Sequence, residues 1–166
     1  MKKILRYFKE EDNHRSFFLD PEILEYIFAS SSETDHVQRA LMDETAALGA
    51  ISRMQISPDQ GNFLTMLVKV AAPKFAVEIG TFTGFSALAI AKGLPENGML
   101  LCCDISETWT DVAKRYWGQA GGSSKIDLIL APALETLEKL PSGQQIDFAF
   151  IDADKGNYKN YYEAIL

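Results

Sequence analysis
Acidic side chains stand where short apolar runs stop. Phe75-Ala76-Val77-Glu78-Ile79 gives way to the turn Gly80-Thr81-Phe82-Thr83-Gly84, the run from Met99 ends in Asp104, and the run from Ile146 ends in Asp152-Ala153-Asp154-Lys155. Asp152 and Asp154 offer hard oxygen donors of the kind Mg²⁺ takes. A lysine beside a metal and partly desolvated loses its proton more easily and can act as a base. The same four residues read equally well as a solvated loop with an Asp–Lys pair and a helix cap. Asp104 stands at the end of a second run, where an acidic residue accepts hydrogen bonds from ribose hydroxyls. Its other reading is the N-cap of a helix starting near Glu107.

The glycine turn adds backbone N–H groups and a helix N-terminus, which favour a polar ligand above the strand. Its spacing, Gly80-x-x-x-Gly84, is not the G-x-G-x-x-G of a dinucleotide site. Phe82 between the glycines leaves no bare backbone for a pyrophosphate. Glu78 would repel one, yet could accept a bond from an ammonium or a hydroxyl. A smaller, less anionic nucleoside fits better, with Gly80 letting the backbone approach it and Gly84 opening the helix behind it.

These residues need a scaffold that brings strand ends together. The apolar runs at 75–79, 99–104, 126–130 and 146–151 read as strands, and the stretches 84–93, 107–119, 133–140 and 157 onward read as helices. Alternation of this kind implies an α/β fold, a doubly wound Rossmann-like sheet, largely parallel and covered on both faces. Ahead of it, Asp20 and Pro21 start a helix to Ser30, and a second helix spans Asp35–Leu48. Ser57 caps a third, with Gln60 closing a capping box and Phe63, Leu64, Leu67 and Val70 along its apolar face. The expected organisation is a helical segment over 1–56 and a ligand-binding α/β domain over 57–166. Residues 1–19 read as a helical or disordered leader whose Lys2, Lys3, Arg6 and Lys9 form a solvated face.

Composition narrows the partners. The 166 residues carry a net charge of −7 with pI near 4.8, which argues against a grip on nucleic-acid phosphates. No apolar run approaches the ~18 residues of a membrane span, and no secretory signal is visible. Cys102 and Cys103 are adjacent, so in a strand they face opposite ways and read as packing residues of a reducing cytoplasm.

Taken together, MQISPDQGNFL, VEIGTFTGFSAL, LCCDISE, APALETL and FIDADKGNYKNYY resemble the class I S-adenosylmethionine-dependent O-methyltransferases, in the caffeoyl-CoA and catechol O-methyltransferase-like branch. The resemblance spans about residues 20–166. It implies that Met54 and Ser57 line the methionine end of the cofactor and that Glu78 and Gly80 contact it. It further implies that Ser86 helps hold the cofactor carboxylate, Asp104 takes the ribose hydroxyls, Ala133 lies near the adenine and Asp154 is a further contact. Asp152 becomes the first ligand of a divalent cation, Mg²⁺ in this reading, and Lys155 the base that takes a phenolic proton. The substrate class implied is a catechol-like or caffeoyl-like small molecule, and the assembly implied is a homodimer. Such enzymes complete the metal site with an Asp-Asn pair at the end of a next strand. The 166 residues stop before one, so the expected chain is a fragment of a longer protein. Two other readings stand beside this one: a nicotinamide-dependent oxidoreductase, and a non-catalytic module that binds a nucleoside or pairs with another chain.

Overall fold
Four apolar runs pair side by side in one parallel sheet. In the computed structural model, which describes residues 20–166, they are β1 (Phe75–Ile79), β2 (Met99–Asp104), β3 (Ile126–Leu130) and β4 (Phe148–Ile151), in the order β3-β2-β1-β4. Register sets Glu78 opposite Cys102 on β2 and opposite Phe150 on β4. The central runs are apolar on both faces, apart from Glu78, because helices cover both. Val77, Ile79, Leu101 and Cys103 pack on one face with Ala133, Leu137 and Tyr161. Their neighbours Ala76, Glu78, Leu100 and Cys102 point the other way and are fully buried. Cys102 and Cys103 therefore face opposite sides, as adjacency in a strand requires.

The chain winds outward from β1 to β2 to β3 and then returns to place β4 on the far side of β1. The switch in strand order falls between β1 and β4, where the carboxyl ends of a parallel sheet form a crevice. The crevice is the place where the glycine turn and the Asp152–Lys155 stretch meet.

The chain divides into two compact units, Met1–Glu33 and Thr34–Leu166. Within the first, α1 (Pro21–Ser30) starts where expected, its Glu22 N–H donating to the Asp20 carboxylate at 2.9 Å. The leader and its basic cluster lie outside the described residues. The unit boundary falls at 33/34 rather than 56/57, because α2 (His36–Ala46) belongs to the α/β unit. It buries Val37, Leu41, Met42 and Thr45. Its Glu44 takes Arg115 and the Tyr116 hydroxyl of α5 (Glu107–Gln119), and the Thr45 hydroxyl donates to that of Thr83 at 2.9 Å.

Several local expectations shift. The second helix stops at Ala46, and Gly49–Met54 forms a 3-10 turn. The regular part of β4 begins at Phe148, because the Asp147 carboxylate instead accepts the N–H groups of Lys74 and Phe75. Ser57 sits at the cap of α3 (Pro58–Ala71) but its side chain makes no capping bond, so no capping box forms. The inward face of α3 is also different. Gly61, Leu64 and Val68 are buried, whereas Phe63 and Val70 are 53% and 82% exposed. Gly61 explains the rotation: a Cβ there would lie 2.9 Å from the Phe85 ring. Its absence lets α3 rest on α4 (Phe85–Gly93). No helix among the described residues is long and apolar enough to cross a membrane.

Candidate functional site
The glycine turn is shaped by the chain around it. Gly80 has φ +91°, its N–H donates to the Cys103 carbonyl at 3.0 Å, and the Asp152 N–H donates to the Ile79 carbonyl at 2.9 Å. A Cβ on Gly80 would lie 2.3 Å from the Asp152 carbonyl oxygen. The missing side chain therefore makes room for the chain just after β4, a demand on Gly80 that the sequence reading did not include. Gly84, at φ +86°, likewise admits α5: a Cβ would meet Ala113 and the Trp117 indole at 2.6 Å. The indole N–H donates to the Gly84 carbonyl at 3.1 Å.

Between the glycines, Phe82 sits at φ +50° with its ring 5.1 Å from Trp109, edge to face. That backbone conformation is unfavourable for a residue with a side chain. Asp104 holds it in place. One carboxylate oxygen accepts the N–H groups of Thr81 and Phe82, both at 2.9 Å. The other accepts those of Ile105 and Ser106 at 2.7 and 2.8 Å. Asp104 is thus not the helix cap; Ser106 caps α5 through Trp109 N–H.

A cavity of about 740 Å³ opens above these strand ends. Met54 reaches it from the 3-10 turn, Gly80 and Ser86 from the glycine turn and α4, and Asp104 from β2. Ala133 at the start of α6 (Ala133–Glu138) and the trio Asp152, Asp154 and Lys155 complete the expected set. Two expected residues are not on the wall: Ser57, at the start of α3, and Glu78, which is fully buried.

Glu78 is the most unusual group. Its Oε2 accepts a bond from the Cys102 thiol at 3.4 Å, while Oε1 has no hydrogen-bond partner. The Thr81 and Ser86 hydroxyls are close enough to ease its charge, but neither bonds Oε1 with normal geometry. Burial pushes its pKa up from 4.5 to about 7. The folded protein then binds a proton that the unfolded chain has released, so stability falls as pH rises from about 4.5 to about 7 and levels above that. Comparing thermal or urea unfolding of the protein with Glu78→Gln should isolate this contribution, about 3 kcal/mol. Equal pH slopes for the two would contradict it.

After β4 the acidic pair is gripped by α7 (Tyr158–Ile165). Lys155 donates to Asp152 at 3.0 Å and also contacts the Tyr158 hydroxyl. Asp154 accepts the Tyr161 hydroxyl at 2.5 Å and the Asn157 amide at 2.6 Å. These bonds, Tyr161 first, hold the Asp154 carboxyl below its usual range. Tyr158 and then Asp152 hold the Lys155 ammonium above its own. The expected depression of the lysine pKa is therefore absent: Lys155 is exposed and ion-paired rather than desolvated. Among the described residues, no group of three or more His, Cys, Asp or Glu side chains is placed to hold a metal ion. Asp152 is a single candidate ligand.

Comparison with known proteins gives the family of the chain. The O-methyltransferase family profile matches residues 28–166. The chain belongs to the O-methyltransferase family. It is 36% identical over 163 residues to caffeoyl-CoA O-methyltransferase 2 of Zea mays, covering 94% of this chain and 61% of that protein. It is 33% identical over 162 residues to caffeoyl-CoA O-methyltransferase of Medicago sativa, covering 95% and 66%. It thus spans less than two thirds of either relative. A crystal structure of the O-methyltransferase from Bacillus cereus, in complex with SAH, superposes with TM-score 0.77 at 30% identity, over 85% of this chain and 64% of that one. This O-methyltransferase-family chain carries the parallel α/β architecture expected of it.

Three wall residues escaped sequence reasoning. Ile105 is 78% exposed on the cavity side of Asp104, an apolar surface left open at a polar site. Arg53 adds a cation beside Met54. Tyr161 was legible in principle, since Asp154, Asn157 and Tyr161 fall at i, i+3 and i+7, one helix face.

Proposed function
We propose that this chain is the S-adenosylmethionine-binding part of an O-methyltransferase that methylates a hydroxyl of a catechol-like or caffeoyl-like small molecule. What supports the reading is the convergence of Asp104, Asp152 and Asp154 on one cavity in a chain of this family, with an orphaned, fully buried Glu78 oxygen behind its wall. When bound, S-adenosylmethionine supplies an electrophilic methyl group on a sulfonium. Met54, Ser86 and the buried Glu78 take its amino-acid arm, Asp104 its ribose, and Ile105 and Ala133 its base. Asp154, fixed by Tyr161 and Asn157, is a preset acceptor. Lys155 presents an ammonium beside the position of the acceptor hydroxyl and favours its phenolate by charge; acting as a base requires it first to lose a proton it holds firmly here. A divalent cation does not fit these residues on their own, since Asp152 alone offers a ligand. Holding one would take further ligands from outside these residues.

Two measurements test this. Calorimetry should show binding of S-adenosylhomocysteine and none of NAD; the reverse would favour a nicotinamide enzyme. In the catalytically complete protein, Lys155→Ala should lower methyl transfer to a catechol by about 10²-fold or more. Its S-adenosylhomocysteine affinity should stay within about twofold, and the loss should be partly recovered at a pH near 10, where a phenol ionises unaided. A full-rate variant would remove Lys155 from the chemistry.

A further inference from the structure
Two cations line the cavity, Arg53 and Lys155, together with the carboxylates of Asp104, Asp152 and Asp154. Four of these five charges are answered within the chain. Asp104 takes four backbone N–H groups, Lys155 and Asp152 pair with each other, and Asp154 accepts the Tyr161 hydroxyl and the Asn157 amide. Arg53 is the exception. Among the described residues no carboxylate pairs with it. Its one hydrogen bond among them runs from Nε to the Ala50 carbonyl of its own turn, long at 3.4 Å. That bond ties the root of the guanidinium to the Gly49–Met54 turn and leaves both terminal nitrogens open. Two open nitrogens in one plane are the fork that grips a carboxylate through parallel bonds.

The position of the turn decides which ligand meets the fork. Arg53 and Met54 are exposed and Ile56 is buried, so the chain passes here from the rim of the cavity inward. Ser86, assigned above to the amino-acid arm of the cofactor, is 7% exposed and belongs to the interior. Arg53 instead shares the exposed wall with Lys155, the residue beside the position of the acceptor hydroxyl. An acid group on the acceptor is repelled by the three wall carboxylates. It finds in Arg53 a cation with no intramolecular partner to displace. Met54, 46% exposed and next in the chain, offers apolar surface to the acceptor's ring.

We infer that Arg53 is a specificity-determining residue that selects phenolic acceptors carrying a carboxylate over neutral ones. This rests on the methyltransferase reading of the cavity and narrows it to acidic catechols. The preference is electrostatic and sits at an exposed rim, so it weakens as salt rises. It is also bidentate, so a lysine at this position restores the charge and not the fork.

The test compares 3,4-dihydroxybenzoate with 3,4-dihydroxybenzamide, a neutral acceptor of the same shape, in the catalytically complete protein. The unmodified protein should favour the acid in kcat/KM, and the preference should shrink between about 0.05 and 0.5 M salt. Arg53→Gln should cut the acid-to-amide ratio about tenfold, through the KM of the acid rather than its kcat, and remove the salt dependence. Arg53→Lys should recover part of the ratio. Calorimetry with S-adenosylhomocysteine runs beside each variant. A ratio unchanged by Arg53→Gln overturns the selector and leaves the methyltransferase reading standing. So does a loss shared equally by acid and amide, or one matched by a loss of S-adenosylhomocysteine affinity, since Arg53 would then serve the cofactor or the fold. Turnover of neither acceptor by a protein that binds S-adenosylhomocysteine overturns the selector together with the catechol part of the reading. Failure of S-adenosylhomocysteine to bind overturns the whole of it.

Discussion
Gly80→Ala is expected to destabilise the protein by about 2–5 kcal/mol and to abolish ligand binding at the cavity, although no ligand atom need touch the added methyl group. Two physical effects add. The residue sits at φ +91°, where a side chain brings strain of about 1–2 kcal/mol. The new Cβ would also stand 2.3 Å from the Asp152 carbonyl oxygen and 2.8 Å from its carbon. Backbone cannot rotate away as a side-chain tip can, so the end of β4 must move, and overpacking of this sort costs about 1–3 kcal/mol. The displaced segment includes the Asp152 N–H bond to Ile79 and carries Asp154 and Lys155 with it. Urea unfolding should show a lower midpoint at unchanged slope. Gly118→Ala is the control: nothing lies within 4 Å of its Cβ and it is inside α5, so it should stabilise by up to about 1 kcal/mol. Equal midpoints for Gly80→Ala and the unmodified protein would show that β4 does not press on the turn.

That Gly80 matters was legible in the sequence; why it matters was not. Strands β1 to β3 and helix α5 were readable because their signal is local: the strands are short, largely apolar runs, and turns carry Gly, Pro and Asn between them. The acidic residues at the strand ends were readable for the same reason, since a parallel sheet puts all carboxyl ends on one side. What failed needed contacts distant along the chain. Gly80 meets Asp152, Gly61 meets Phe85, and Gly84 meets Ala113 and Trp117. No periodicity within a helix tells which residues a distant glycine will draw inward, so of the expected face Phe63, Leu64, Leu67 and Val70 only Leu64 is buried, and Gly61 and Val68 join it. The expectation for Lys155 failed through its environment: a lysine next to a carboxylate and a tyrosine hydroxyl gains charge stabilisation, and only burial would reverse the sign.

Asp104 presents the same lesson at the site itself and leads to the second large effect. Its carboxylate accepts four backbone N–H groups, from Thr81, Phe82, Ile105 and Ser106. Hydrogen bonds to a charged group are each worth about 1.5–3 kcal/mol, and they are not additive. Asp104→Ala should therefore cost about 3–5 kcal/mol of stability and release Phe82 from its positive φ. Asp104→Asn should lose less, because its oxygen still serves two of the four donors while the amide confronts the other two. A simple loss of cofactor affinity in either variant would not show that Asp104 holds a ribose, since the turn itself is undone. A cycle separates the roles: S-adenosylhomocysteine and its 2′-deoxy analogue, each against the unmodified protein and Asp104→Asn. Because every acceptor site on the carboxylate already has a backbone donor, a ribose hydroxyl must share one. The expected coupling is about 1 kcal/mol, below the range for an unshared charged acceptor. Coupling of that size would make Asp104 both clamp and ribose acceptor. Coupling near zero alongside the stability loss would leave it as the clamp that sets the glycine turn, with the ribose held by other groups of the wall.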